Sequence, residues 1–296
     1  MKKLNPYFVS GFTDAECYFF LQIRKNQYKS GFNVQPSFGI ALHKKDRALL
    51  EGIQSSLGGV GKITKQRKDT IQYRVNSISQ LAVIISHFDK YPLITQKRAD
   101  YELFKKGLEL INQKKHLTSE GLLNLVAIKA SLNNGLSVSL KEAFPNITPF
   151  PRPIVELPEK VNSNWLTGFV SGEGCFLIRI YKGATITGFI IKLRFQITQH
   201  SRDAQLMQSL VSYLGCGQYY ERSTGLAGDF IVEKFIDINK KIIPFFKKYP
   251  IQGVKELDFA DFCKVSEIME TKEHLTEQGL KDIRKIKSGM NRLRST

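Results

Sequence analysis

The chain has no run of 18 apolar residues, so no segment reads as a membrane span. Its four cysteines, Cys17, Cys175, Cys216 and Cys263, form no CxxC pair. They read as buried thiols of a reducing compartment, which excludes a disulfide frame. The five histidines build no HExxH or similar cluster, so zinc is not expected. The opening Met1-Lys2-Lys3-Leu4-Asn5-Pro6 lacks the apolar core and cleavage site of a secretory signal. No basic amphipathic helix stands out, which argues against a membrane surface as partner. Acidic residues are scarce: 27 Asp and Glu face 44 Lys and Arg, a net charge of +17. That imbalance favours a polyanion.

What is present is a core and a repeat. Hydrophobic residues make up 42% of 296, enough for two domains of about 150 residues each. Phe8-Val9-Ser10-Gly11-Phe12-Thr13-Asp14-Ala15-Glu16 returns as Trp165-Leu166-Thr167-Gly168-Phe169-Val170-Ser171-Gly172-Glu173, with the two Glu 157 positions apart. Downstream the offset is 158: Phe88-Asp89-Lys90-Tyr91-Pro92 matches Phe246-Lys247-Lys248-Tyr249-Pro250. The same offset pairs Lys97 with Lys255, Asp100 with Asp258, Phe104 with Phe262, His116-Leu117-Thr118 with His274-Leu275-Thr276, and Asn133 with Asn291. A repeat this long implies a pseudo-twofold particle made of one chain. Five of the ten prolines (Pro145, Pro149, Pro151, Pro153, Pro158) cluster between the repeats. They mark a linker over 141–160, between a first repeat at 1–140 and a second at 161–296.

Each repeat reads αββαββα, an α+β fold. An acidic helix starts at Asn5-Pro6 or at Asn162-Ser163-Asn164. Strands follow: Ile191, Leu193, Phe195 and Ile197 alternate with Lys192, Arg194, Gln196 and Thr198, an apolar face backed by a polar one. Val34, Phe38 and Ile40 alternate more weakly with Gln35, Ser37 and Gly39. A short helix (46–57; 203–214) stops at a glycine-rich turn. Two more strands and helices from about Ile78 and from Thr118 complete the half, with Thr118 and Thr276 as N-caps.

Gly11 and Ala15, like Gly168 and Gly172, fall four apart on one helical face. Glycine inside a helix costs about 1 kcal/mol, so its recurrence points to close helix–helix packing. Two carboxylates brought to about 5 Å would repel by roughly 3 kcal/mol at a dielectric of 20. A divalent cation with oxygen ligands, magnesium where phosphates are near, resolves that conflict. Lys97 and Lys255 can stabilise charge developing on a phosphorane. His43 and His200 read as structural or DNA-facing.

The polar strand faces suit the major groove of duplex DNA. Candidate contacts in the first half are Gln22, Arg24, Asn26, Asn33, Gln35, Ser37, Lys62, Thr64, Gln66, Gln72 and Arg74, alongside Phe20. In the second they are Arg179, Tyr181, Lys192, Arg194, Gln196, Gln218, Tyr220, Arg222 and Asp229, alongside Leu177.

Together these residues resemble the LAGLIDADG homing endonucleases, in the single-chain two-repeat form typical of fungal mitochondrial introns. The resemblance rests on the two helices, Phe195-Gln196-Ile197-Thr198-Gln199, the Leu57-Gly58 and Leu214-Gly215 turns, and the Tyr-Pro-xxxx-Lys and His-Leu-Thr segments. It implies motif helices at the interface between halves and antiparallel sheets forming a saddle over a long asymmetric DNA site. It implies metal binding by Glu16 and Glu173 with the Ala15 and Gly172 carbonyls, one site per strand. Magnesium would support cleavage that leaves 3′ overhangs, and calcium binding alone. Lys97 and Lys255 match the family's peripheral lysines, and Gln199 its water-ordering residue. A monomeric, mitochondrial protein follows, with double-stranded DNA as partner. The alternative is an RNA-binding maturase of the host intron, as family relatives do either. Departures are Cys17 for the closing glycine and Leu42 opposite Gln199. Both strands are expected to be cut, at unequal rates.

Overall fold

A computed structural model describes residues 3–26, 31–291 and 294. The Asn26 amide donates to the Gly31 carbonyl at 2.8 Å. The chain divides into two compact units, Met1–Pro158 and Glu159–Thr296.

In the first unit, helix α1 (Pro6–Glu16) begins where sequence places it: the Asn5 side chain accepts from the Tyr7 amide, and proline stands at the first turn. Strands β1 (Cys17–Lys25) and β2 (Phe32–His43) follow, then α2 (Arg47–Ser56), β3 (Lys62–Lys65) and β4 (Thr70–Val75). Helices α3 (Ile78–Lys90), α4 (Lys97–Asn112), α5 (Ser119–Ser131) and α6 (Val138–Ala143) complete it. The four strands form an antiparallel sheet in the order β1-β2-β4-β3. The αββαββα pattern lacks α4, a helix of 16 residues that Lys97 opens.

The second unit repeats this plan. It runs α7 (Ser163–Glu173), β5 (Gly174–Lys182), β6 (Phe189–His200), α8 (Ala204–Leu214), β7 (Gln218–Glu221) and β8 (Ala227–Val232). Its sheet has the order β5-β6-β8-β7. The counterpart of α3 is broken into α9 (Phe235–Asp237), a π-helical turn (Ile238–Ile242) and α10 (Ile243–Lys248). Pro244 explains the break, because it removes a helical N–H and its ring crowds the preceding turn. Helices α11 (Lys255–Glu270) and α12 (Glu277–Ser288) close the unit.

Both cores are aromatic at repeat-matched positions. Phe19 meets Phe38 at 5.4 Å between centroids, and Phe176 meets Phe195 at 5.3 Å. Phe88, Tyr101 and Phe104 surround Phe19 as Phe246, Phe259 and Phe262 surround Phe176. Tyr101 carries a hydroxyl that Phe259 lacks, and the burial requires a partner for it. Asp89 accepts at 2.6 Å, where the second half has Lys247. Thr118 and Thr276 cap α5 and α12 by accepting from Gly121 and Gly279. A Cβ on either glycine would lie 2.0 Å from a carbonyl oxygen, of Lys115 or Glu273, so no larger residue fits.

The proline-rich segment begins inside the first unit. Phe144, Ile147 and Phe150 pack on its core, and Arg152 donates to Asp100 at 2.9 Å. Arg294 makes the matching ion pair with Asp258 at 2.8 Å, from a different place in the chain.

Candidate nucleic-acid interface and carboxylate–lysine sites

Each first helix delivers a carboxylate to its own end. Glu16 is the last residue of α1 and Glu173 of α7, each half-buried, and a strand starts at the next residue. The terminal carbonyls of these helices need donors. Lys97 supplies them in the first half: its Nζ donates to the carbonyls of Cys17 at 2.8 Å, Ala15 at 3.3 Å and Thr13 at 3.4 Å. Lys255 does the same in the second, donating to Val170 at 3.2 Å and to Gly172. A cation at a helix C-terminus is favoured by about 0.3–1 kcal/mol, more where partly buried. The repeat-paired lysines therefore belong to the same sites as the repeat-paired glutamates.

The loop in front of each lysine is tied back to the motif helix. Buried Asp14 accepts from the amides of Ile94 at 2.9 Å and Thr95 at 3.4 Å and from the Thr95 hydroxyl at 2.5 Å. The Thr95 Oγ1 in turn accepts from the Lys97 amide at 3.2 Å. The second half has Ser171 instead, accepting from the Gln252 amide at 3.2 Å. Asp14 and Thr95 had no sequence signal, because a contact across about 80 residues leaves no local pattern. Cys17 fills the first motif's glycine position as a buried thiol, pushed up to about 12 by burial and so uncharged.

Oxygen is the donor chemistry on offer: a carboxylate and a helix-end carbonyl in each half. Among the described residues no cluster of three His, Cys, Asp or Glu could hold a metal ion. Such a donor set fits a hard divalent cation that completes its coordination with phosphate oxygens and water.

Gln199 lies at the end of β6 opposite Gly228, on the row shared with Phe195 and Ile197. Its Oε1 accepts from the His200 amide at 3.2 Å. Leu42 holds the same row in β2 and packs on the core. His43 and His200 are exposed, and each Nδ1 accepts from an amide two residues on, at 3.2 and 3.1 Å, starting a tight turn.

The polar faces assemble in register. In the first sheet Arg24 faces Asn33, Gln22 faces Gln35, Arg74 faces Lys62, and Gln72 faces Thr64. Gln66 is exposed just past β3. Ser37 is a correction: it has the right parity but is only 1% exposed, and its hydroxyl lacks a partner. It stands opposite Phe20, whose bulky ring flanks it on the same face. Tyr18, not anticipated, also belongs here: its ring lies over Gly39, where a Cβ would come within 2.3 Å, and its hydroxyl accepts from Gln72 at 2.6 Å.

The second sheet places Arg179 opposite Lys192 and Tyr220 opposite Asp229. Tyr181 is exposed at its edge, and the Tyr220 hydroxyl donates to Gln218. Here the cations are partly answered by acids. Asp229 accepts from Arg222 at 2.8 Å, Gln196 at 2.9 Å and Thr198 at 2.6 Å. The Arg222 guanidinium, with burial opposing it, holds the Asp229 carboxyl below the usual range. Arg194 and Arg179 converge on Glu233 at 2.5 and 3.5 Å. Thr198 was readable from the alternation; Glu233, beyond the last strand, was not.

The LAGLIDADG endonuclease family model matches residues 9–108 and 166–266. The probable intron-encoded endonuclease 2 of Neurospora crassa is 42% identical over 97% of this chain and 65% of its own length. The probable intron-encoded endonuclease 3 of the same fungus is 40% identical over 95% of this chain and 53% of its own. The chain thus spans between half and two-thirds of these relatives. The crystal structure of the meganuclease I-SmaMI bound to uncleaveable DNA superimposes with a TM-score of 0.96, at 48% identity over 99% of both chains. Another structure holds I-SmaMI on cleaved DNA, with a TM-score of 0.95 at 48% identity over 99% of both chains. With a matched repeat in each half, each ending its first helix in glutamate, this chain belongs to the LAGLIDADG endonuclease family.

Proposed function

We propose that the chain is a site-specific endonuclease of double-stranded DNA, monomeric, cutting one phosphodiester per strand and leaving 3′ overhangs. The observation that carries the reading is the repeated carboxylate–lysine site, one at the end of α1 and one at the end of α7, in a chain of net charge +17. The I-SmaMI structures on uncleaveable and cleaved DNA support carrying DNA cleavage to this chain. Glu16 with the Ala15 carbonyl, and Glu173 with the Gly172 carbonyl, would each hold a divalent cation, magnesium in our reading, which would polarise the scissile phosphate and acidify a water. Lys97 and Lys255 carry fixed positive charge next to those groups and offset the charge that builds on the phosphorane. Gln199 orients water in the second half, and Leu42 leaves the first without that contact. The polar rows of the two sheets read the target, Gln and Asn toward adenine, Arg and Lys toward guanine. We place the protein in the mitochondrion. An RNA-binding helper of splicing would not need both glutamates, so we favour cutting.

The test is cleavage of a randomised duplex library with magnesium, with calcium as a binding-only arm. Cut ends sharing one long motif, lost in Glu16→Gln and Glu173→Gln, are the expected result. Cut ends without a shared motif, or none in either metal, would refute the reading.

A further inference from the structure

Lys129 is an anomaly in a basic protein. It sits on α5, 6% exposed, the only buried lysine among the described residues. Among the described residues it makes no ion pair; its Nζ lies 4.8 Å from the centre of the Phe20 ring. Burial pulls its pKa below the ordinary lysine range, and the Asp100 charge only partly opposes this. Asp100 is not its partner: that carboxylate accepts from the Asn133 amide and from Arg152. A buried ammonium without an anion is costly, so it needs a reason to be there.

The reason lies in the space beside it. A cavity of about 850 Å³ opens along the outer edge of β1, and Lys129 is part of its wall. Arg24, Lys25, Gln22, Asn134, Ser137 and Ser139 line it too, so three cations, two amides and two hydroxyls share one opening. Glu142 also lines the cavity and, among the described residues, makes no ion pair with these cations. Gln22 and Arg24 belong to the polar row assigned to DNA, so the cavity is continuous with that face.

We propose that Lys129 and this cavity form a phosphodiester site that grips the DNA backbone beside the readout face of the first half. An incoming phosphate supplies the anion that Lys129 lacks and is held by donors already in place. The site rests on the DNA-binding reading above and adds a contact outside the readout rows. Its repeat counterpart, Lys287, 158 positions later, is half-buried on α12.

Two variants test it, Lys129→Met and Lys129→Gln, each keeping the buried stem. Binding is measured in calcium on the target recovered from the library, from 50 to 200 mM salt. A residue that neutralises one phosphate contributes about one to the salt slope. The expected result is a slope smaller by about one, with affinity lowered about tenfold at low salt on matched and mismatched DNA alike. A methylphosphonate scan then locates the contact: one position weakens binding of the wild type and leaves Lys129→Met indifferent. An unchanged slope in a variant that melts at the wild-type temperature overturns the site, as does a scan in which both proteins respond alike. Failure of the wild type to select any DNA would overturn the parent reading instead, and this site with it.

Discussion

In the first half a buried carboxylate, Asp14, binds three donors of the loop that carries Lys97. In the second half a serine hydroxyl, Ser171, holds the matching loop by one amide. The sheets differ in the opposite sense. The first presents Arg24, Lys62 and Arg74 with no acid among the facing residues, whereas the second ties Arg222, Arg194 and Arg179 to Asp229 and Glu233. One half thus has the more tightly tied lysine loop and the freer polar face; the other has the reverse. A duplicated scaffold keeps its aromatic core and its carboxylate–lysine pair. It varies the bonds that hold them.

The largest expected effect removes one site at a time. Glu16→Gln and Glu173→Gln should each slow one strand by about 10³-fold, a different strand in each variant, with binding retained. Lys97→Met and Lys255→Met should do the same at about 10²-fold. Nicking of supercoiled plasmid, resolved by strand, reads both. Loss of both strands in any single variant would merge the two sites into one.

Next comes the clamp. Asp14→Asn leaves buried donors poorly paired and should cost about 2–3 kcal/mol, against about 1 kcal/mol for Ser171→Ala. Thermal unfolding measures this, and strand-resolved rates should fall further for the Lys97 side than for the Lys255 side. Equal costs would erase the distinction between the halves.

A smaller effect concerns readout. Asp229→Ala frees Arg222 and Gln196 from their internal acceptor. Overall affinity should hold or rise, while discrimination at second-half positions falls by about 1–3 kcal/mol. Profiling cleavage of all single-base target variants checks it.

The smallest is a pH effect confined to the first half. Burial pushes His87 down to about 4 from 6.5, so it stays neutral when folded. The unfolded chain takes up a proton as pH falls through about 6.5, and the folded chain does so only near 4. Stability is therefore intact above 6.5 and lost progressively between there and 4. Phe245, its repeat counterpart, has no such dependence. His87→Phe should flatten melting temperature against pH over that window.

Much of this was legible in the chain. Asn5, Asn162, Thr118 and Thr276 announce their helices because capping is local. Lys192 to Thr198 announce their face because alternation is local too. Glu16, Glu173, Lys97 and Lys255 were visible only through the repeat, which is long-range information written twice. Three features were hidden for one physical reason: they depend on what lies across the fold. Asp14 looks like a second acid of the motif until Thr95 meets it. Ser37 has the parity of a contact residue and sits beside Phe20. Lys129 reads as an ordinary helix lysine until its burial is known. Helix α4 is silent in the chain because its N-cap, Gln96, is no capping residue and makes no side-chain cap hydrogen bond.

The most direct test of the account is a strand-resolved cleavage time course of the unmodified chain on its recovered target, in magnesium. The account requires both strands to be cut, once each, at unequal rates. It also requires Leu42→Gln to speed the strand that depends on Glu16. One strand left intact at completion, or both strands lost together with either glutamate, would contradict it.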